Sequence, residues 1–196
     1  MDKTLTLLAL LLFSQLATAQ EVKFTDGQYQ NGLTYPIAEY SVSSEAETTL
    51  NNNILNIVSN YEEQDYCIGQ YGYVQQTRFI QLHFYFNCMD MDESKNEFYL
   101  FSLDDGEPCP TSEMFLDKQK KHYRPFFSER IASHYTENGK EAPSDELMKS
   151  LSIDDYNVKL LEKGIEISLP NDENWPNTNL IISWVEIQPF LKTNFI

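Results

Sequence analysis

Basic residues are scarce in this chain. Fourteen Lys and Arg stand against 30 Asp and Glu, a formal net charge of −16. A surface of that sign repels phosphate polymers and anionic lipid, so nucleic acid is excluded as a partner and membrane-surface binding is disfavoured. Histidine is also rare. His83, His122 and His134 show no paired spacing with each other or with cysteine, which excludes a recognisable zinc set. No Gly-x-Ser-x-Gly elbow occurs, and no cysteine has a recognisable histidine context, so the signals of nucleophilic hydrolysis are missing. Acidic pairs carry no information here, because 30 carboxylates guarantee chance pairs. There is no internal repeat, linker or low-complexity tract. Neither a catalytic set nor a metal or cofactor is expected.

Long apolar runs are confined to the start. Lys3 opens a short positive region, Leu5 to Leu16 is mostly apolar, and Ala17-Thr18-Ala19 precedes Gln20. This is the pattern of a secretory signal peptide with cleavage after Ala19. The run is too short for a comfortable membrane span, and no cysteine follows the cleavage site to take a lipid. Residues 1–19 are therefore assigned to a signal peptide and 20–196 to one domain, expected to be periplasmic or secreted and not inserted in a membrane after cleavage.

What is present is a two-faced strand. In Phe79 to Cys88, the residues Ile80, Leu82, Phe84, Phe86 and Cys88 fall on one face, and Phe79, Gln81, His83, Tyr85 and Asn87 on the other. A second aromatic run, Phe98 to Leu103, ends at the turn Asp104-Asp105-Gly106. Upstream, Tyr66 to Val74 reads as a strand turning at Gln75-Gln76-Thr77. Ser44-Glu45-Ala46-Glu47 reads as a capping box. Behind it Leu50, Ile54, Ile57, Val58 and Tyr61 keep helical spacing, which predicts an amphipathic helix over Glu45–Glu62. Glu21 to Tyr40 predicts one short edge strand. Downstream, Pro125 suits the first turn of a helix ending at Asn138-Gly139, and Pro143 to Met148 a shorter one. Val158–Leu161, Ile165–Leu169 and Leu180–Trp184 are strands, the first two joined at Glu162-Lys163-Gly164. The fold expected is α+β: a single domain, with an antiparallel sheet of about five strands and a long helix packed on one face.

An oxidising compartment makes one disulfide and one leftover thiol the natural outcome for Cys67, Cys88 and Cys109. Three pairings are open, and so is a fully reduced, buried set. The hairpin places Cys67 and Cys88 toward the same end and Cys109 nearer the other. Cys67–Cys88 is the pairing favoured on that ground; an ideal register sets Cys67 near Phe84, not opposite Cys88, and a glycine bulge could shift it.

The layout resembles an exported bacterial domain family of unknown function. That family is found in the ectodomains of RsiV-type anti-sigma factors, which bind lysozyme, and ahead of the catalytic domain of PdaC-type peptidoglycan deacetylases. The carriers are Tyr35-Pro36 before the first helix, the strand Phe79–Phe86, Phe101-Ser102-Leu103-Asp104-Asp105-Gly106, Thr111–Phe115, the hairpin Leu160–Ile167 and the closing Val185–Leu191. The resemblance spans about Tyr35 to Lys192 and implies that domain standing alone. A Gly-Gly-Ala-His loop common in the family is replaced here by Met89-Asp90-Met91-Asp92-Glu93-Ser94-Lys95. Asp90, Asp92 and Glu93 lack the central glycine and terminal glutamate of an EF-hand. They read as a solvated acidic tip and as candidate contacts for a basic partner. His83, beside Tyr85 and Phe79, reads first as a half-buried structural residue and second as part of a binding surface. Tyr71, Tyr73, Trp175 and Trp184 read by default as core or rim packing, with sugar contact as the alternative. The function expected is an exported, non-catalytic binding module. Its partner would be a cationic protein such as a lysozyme-like muramidase, or a cell-wall fragment. The alternative is a hydrolase acting on cell-wall material.

Overall fold

The computed structural model describes residues 21–42, 44–64, 66–89, 94–170 and 172–192. The signal-peptide segment 1–19 and the acidic residues Asp90, Asp92 and Glu93 lie outside the described residues. Strand β4 (Phe79–Cys88) lies between β3 (Cys67–Gln75) and β5 (Lys95–Ser102) in an antiparallel sheet. Its Ile80, Leu82, Phe84 and Phe86 are buried on one face, as strict alternation requires. Helix α1 (Glu45–Ser59) belongs to the core on that face, burying Ala46, Leu50, Ile54 and Val58 at helical spacing. The Ser44 side chain caps α1 by accepting from the Glu47 N–H.

The helix stops at Ser59, not Glu62. Beyond it the Tyr61 and Glu62 N–H groups reach back only three residues, to Val58 and Ser59. Tyr61 stacks on Phe86 at 3.9 Å between centroids. The single edge strand expected near the N-terminus is a hairpin of two strands, β1 (Val22–Gln28) and β2 (Thr34–Tyr40). Its turn is tied by Asn31, whose side chain accepts from Leu33 N–H and donates to the Tyr61 carbonyl.

The second half forms another layer. It contains α2 (Lys120–Glu137), α3 (Asp145–Ser150), β6 (Asn157–Leu161), β7 (Gly164–Ser168), β8 (Leu180–Ser183) and α4 (Trp184–Ile187). Pro125 lies inside α2 and not in its first turn. A 3-10 turn at Asp117–Gln119 runs straight into the helix, so it starts five residues earlier than the proline signal marks.

The expected sheet of about five strands is instead three separate sheets: β1–β2, β3–β4–β5 and β6–β7–β8. Gln81 explains why β6 does not extend the central sheet. Its buried amide donates to the Val158 carbonyl at 2.7 Å and accepts from the Leu160 N–H at 2.6 Å. Strand β6 therefore meets the face of the central sheet, not its edge, and a side chain takes the place of a neighbouring strand. Gly69 allows the β2 backbone to sit close on β3; a Cβ there would lie 2.6 Å from the Thr34 carbonyl oxygen.

The β3–β4 register also differs from the expected one. Gln76 N–H donates to Phe79 O at 2.8 Å, so the turn is Thr77-Arg78, shifted toward the C-terminus. Arg78 is held there by Asp104 through its Nε at 3.0 Å and by Leu103 N–H on its carbonyl. Cys67 then falls opposite Cys88 in an uninterrupted ladder, without a bulge, and the two are joined by a disulfide. Cys109 is free and partly buried.

Candidate binding surface

The second face of the central sheet carries Ile68, Gln70, Gly72 and Val74 from β3. It carries Phe79, Gln81, His83, Tyr85 and Asn87 from β4, and Asn96, Phe98, Leu100 and Ser102 from β5. This face is half covered. Val74, Phe79 and Leu100 pack into the C-terminal core and Gln81 is bonded to β6. Beyond Gln81 the cover ends. Ile68 is 46% exposed and Phe98 39%, and a Cβ added at Gly72 would meet nothing within 4 Å. Gln70, Asn87 and Asn96 are exposed, and no hydrogen bond joins their side chains or the Tyr85 hydroxyl to a described residue.

His83 stands at the boundary. Its Nε2 lies 2.9 Å from Gln81 Oε1. The amide orientation of Gln81 is fixed by two backbone partners, so Oε1 is an acceptor there and His83 Nε2 carries the proton. The ring packs edge-on to Phe98 at 5.0 Å. Burial, and secondarily the nearby Lys159 ammonium, lower its pKa to about 4. The imidazole is thus neutral at ordinary pH. Lys159 itself lies 5.6 Å from the Phe98 ring centre, and Glu166 is opposite it in the β6–β7 register. A cleft of about 530 Å³ continues from Asn96 and Phe98 past Leu100 and Cys109 to Val158.

No position on this face bears a carboxylate, although the chain holds 30. The signal that identifies the patch is the pairing of β3 and β5 even-numbered positions with the odd-numbered positions of β4. From the sequence only His83 and Tyr85 stand out. Phe79 is not part of the patch, because it is buried in the C-terminal core.

The remaining sequence candidates are dispersed. His134 is buried, bonded through Nε2 to the Thr178 carbonyl at 3.0 Å and packed against Trp175. His122 is exposed on the first turn of α2. Among the described residues no group of three His, Cys, Asp or Glu could hold a metal ion. The Cys109 thiol is pushed up to about 12, first by burial and then by Glu113, which removes the thiolate at neutral pH. Trp184 is buried and its Nε1–H donates to the Glu162 carbonyl. Trp175 packs against Tyr135. Tyr71 donates to Asp26 Oδ1 at 2.6 Å and, with Tyr73, contacts Phe24 on the opposite face of the sheet. These aromatics do not converge on one site. The Cys67–Cys88 bridge lies at the uncovered end of the sheet. A second cavity, of about 550 Å³, lies among Tyr135, Lys140, Leu147, Leu169 and Asp172 in the C-terminal half. No described helix is long and apolar enough to cross a membrane.

No family model matches the sequence, and no curated protein matches it. Solved structures similar in outline include a DUF3298 family protein from Pseudomonas aeruginosa PAO1, with TM-score 0.48 and 10% identity over 90% of this chain and 95% of that one. Another is a DUF3298 family member from Bacteroides fragilis NCTC 9343, with TM-score 0.40 and 8% identity over 89% and 93%. Nothing about ligand or activity follows from either.

Proposed function

We propose that the chain is an exported, non-catalytic binding module of the bacterial cell envelope or exterior. The observation that carries this reading is the half-covered face of β3–β4–β5: a rigid strand platform presents Gln70, Tyr85, Asn87, Asn96 and Phe98 outward. Rigid elements with unspent hydrogen-bond capacity suit recognition. Among the described residues, the cysteines and two of the three histidines are engaged or protonated, and His122 is exposed and apart from them. Cys67 and Cys88 are bridged, the Cys109 thiol is protonated, His83 is neutral and bonded to Gln81, and His134 is bonded to a backbone carbonyl. A disulfide also suits an oxidising compartment. The resemblance to RsiV-type ectodomains and PdaC-associated domains belongs to the same reading.

Photo-crosslinking residues at positions 70 and 96, with position 129 on α2 as control, test it in intact cells. Adducts at 70 and 96 alone are expected. Turnover of peptidoglycan or simple esters by purified protein, abolished by a point substitution, would restore the hydrolase alternative. N-terminal sequencing of exported protein is expected to begin near Gln20.

A second reading names the partner. The net charge of −16 attracts basic proteins over long range, and lysozyme-like muramidases are basic partners available outside the cell. Calorimetry at low salt is expected to give heat that shrinks as salt rises. Asp90, Asp92 and Glu93 are the proposed contacts, and charge reversal there should slow association. No heat with several basic muramidases would retire this partner and leave the module.

A further inference from the structure

We infer that the uncovered half of the β3–β4–β5 face binds a neutral glycan, lying across Gly72 between the amide side chains and the Phe98 ring. The inference rests on the binding-module reading and names its ligand class. Charge is the first argument. In a chain of net charge −16 the face positions are free of acids. A cationic ligand would find no carboxylate on it to pair with, and a polyanion would be repelled by the rest of the molecule. An uncharged ligand meets neither obstacle. At the rim, Lys159 is paired in register with Glu166.

Hydrogen-bond chemistry is the second argument. Gln70, Asn87 and Asn96 each offer a donor and an acceptor, and none is engaged by a described residue. Sugar hydroxyl and acetamido groups likewise donate and accept, so each can be satisfied from either side. The third argument is shape. Gly72 leaves open space above the strand, beside exposed Phe98 and the His83 ring. A flat sugar ring can approach the backbone there and pack its apolar C–H face on the exposed part of the Phe98 ring.

The test uses the isotope-labelled secreted chain with its disulfide intact. Chitotetraose and cellotetraose, in separate titrations, distinguish an acetamido glycan from a plain hydroxylated one. Either is expected to shift amides within 68–72, 83–87 and 96–98. Gly72→Val places its Cβ in open space and suits a strand, so its unfolding midpoint should not fall. It should weaken binding at least about tenfold, and Phe98→Ala about tenfold. The inference is overturned if neither glycan shifts these amides by about 10 mM, if the shifts lie elsewhere, or if Gly72→Val leaves the titration unchanged. A third titration, with a basic muramidase, separates the two levels. If it moves the same amides and the glycans do not, the ligand class is wrong and the module reading stands. If none moves them, the glycan inference falls, and crosslinking at positions 70 and 96 decides the module reading.

Discussion

Gln81 is a single side chain doing the work of a strand edge. With 3% of its surface exposed, it satisfies two backbone groups of β6 and receives the His83 proton donor. Gln81→Leu keeps the volume and strands the Val158 carbonyl and Leu160 N–H in the interior. A loss of about 3 kcal/mol in urea unfolding is expected; a loss within error of zero would show that water replaces the amide. His83 also makes a pH-dependent contribution. Its pKa is about 4 in the fold against 6.5 as the ordinary value, chiefly through burial. Between those values the unfolded chain binds the extra proton and the folded chain does not. Stability from this group is therefore complete above about pH 6.5 and is lost as pH falls toward 4. The difference between wild type and His83→Gln isolates it from the many carboxylates. The variant's stability should fall less over that window, and an NMR titration of the wild-type ring should show its midpoint well below 6.5.

Elements are joined by contacts that local sequence marks only in part. The turn Asp104-Asp105-Gly106 is legible as a turn, but its docking on α1 is not. Gly106 has φ +76°, and a Cβ there would stand 2.2 Å from the Ala46 carbonyl oxygen and 2.7 Å from the Leu50 nitrogen. Asn53, a poor helix former, earns its place by donating to the Gly106 carbonyl at 3.1 Å. Gly106→Ala should therefore cost at least about 2 kcal/mol, from the left-handed backbone and the steric conflict together. Thermal melts at matched concentration would read it, and an unchanged Tm would refute the docking. The disulfide acts at the same scale. It closes a loop with a sequence separation of 21, and its removal by Cys67→Ala with Cys88→Ala should cost about 3 kcal/mol. Equal stability of the oxidised protein and the double variant would count against that figure. The period-2 pattern of β4 and the helical spacing of α1 were readable because each is set by residues close in sequence. The three-sheet arrangement was not, because it depends on Gln81 reaching a partner 77 positions away. The β3–β4 register was lost for a related reason: Gln75-Gln76-Thr77 lacks a turn signature, and the turn is placed by the distant Asp104. Of the candidate surface, His83 and Tyr85 were visible on one strand. Gln70, Gly72, Asn96 and Phe98 joined them only once neighbouring strands were paired.

At the scale of the whole molecule, two hydrophobic clusters share one sheet. One gathers α1, β1 and β2 against Ile80, Leu82, Phe84, Phe86 and Phe101. The other gathers α2, β6, β7, β8 and α4 with Phe79 and Leu100. Neighbouring residues of the same strands, Phe79 with Ile80 and Leu100 with Phe101, therefore anchor opposite clusters. Neither cluster can lose its wall without exposing the other, so the two should unfold as one cooperative unit. The tryptophans make this measurable. Trp184 belongs to the C-terminal cluster and Trp175 packs against it, whereas the N-terminal cluster contains neither. Leu50→Ala opens a cavity in the N-terminal cluster, where Leu50 is fully buried, and should cost about 2–5 kcal/mol. If the sheet couples the clusters, the tryptophan fluorescence transition moves to lower urea by the same amount as far-UV circular dichroism, although Leu50 lies in the other cluster. A fluorescence transition that stays in place while the dichroism splits into two steps would show that the halves unfold independently, and the central sheet would then be a boundary between two units and not a shared wall.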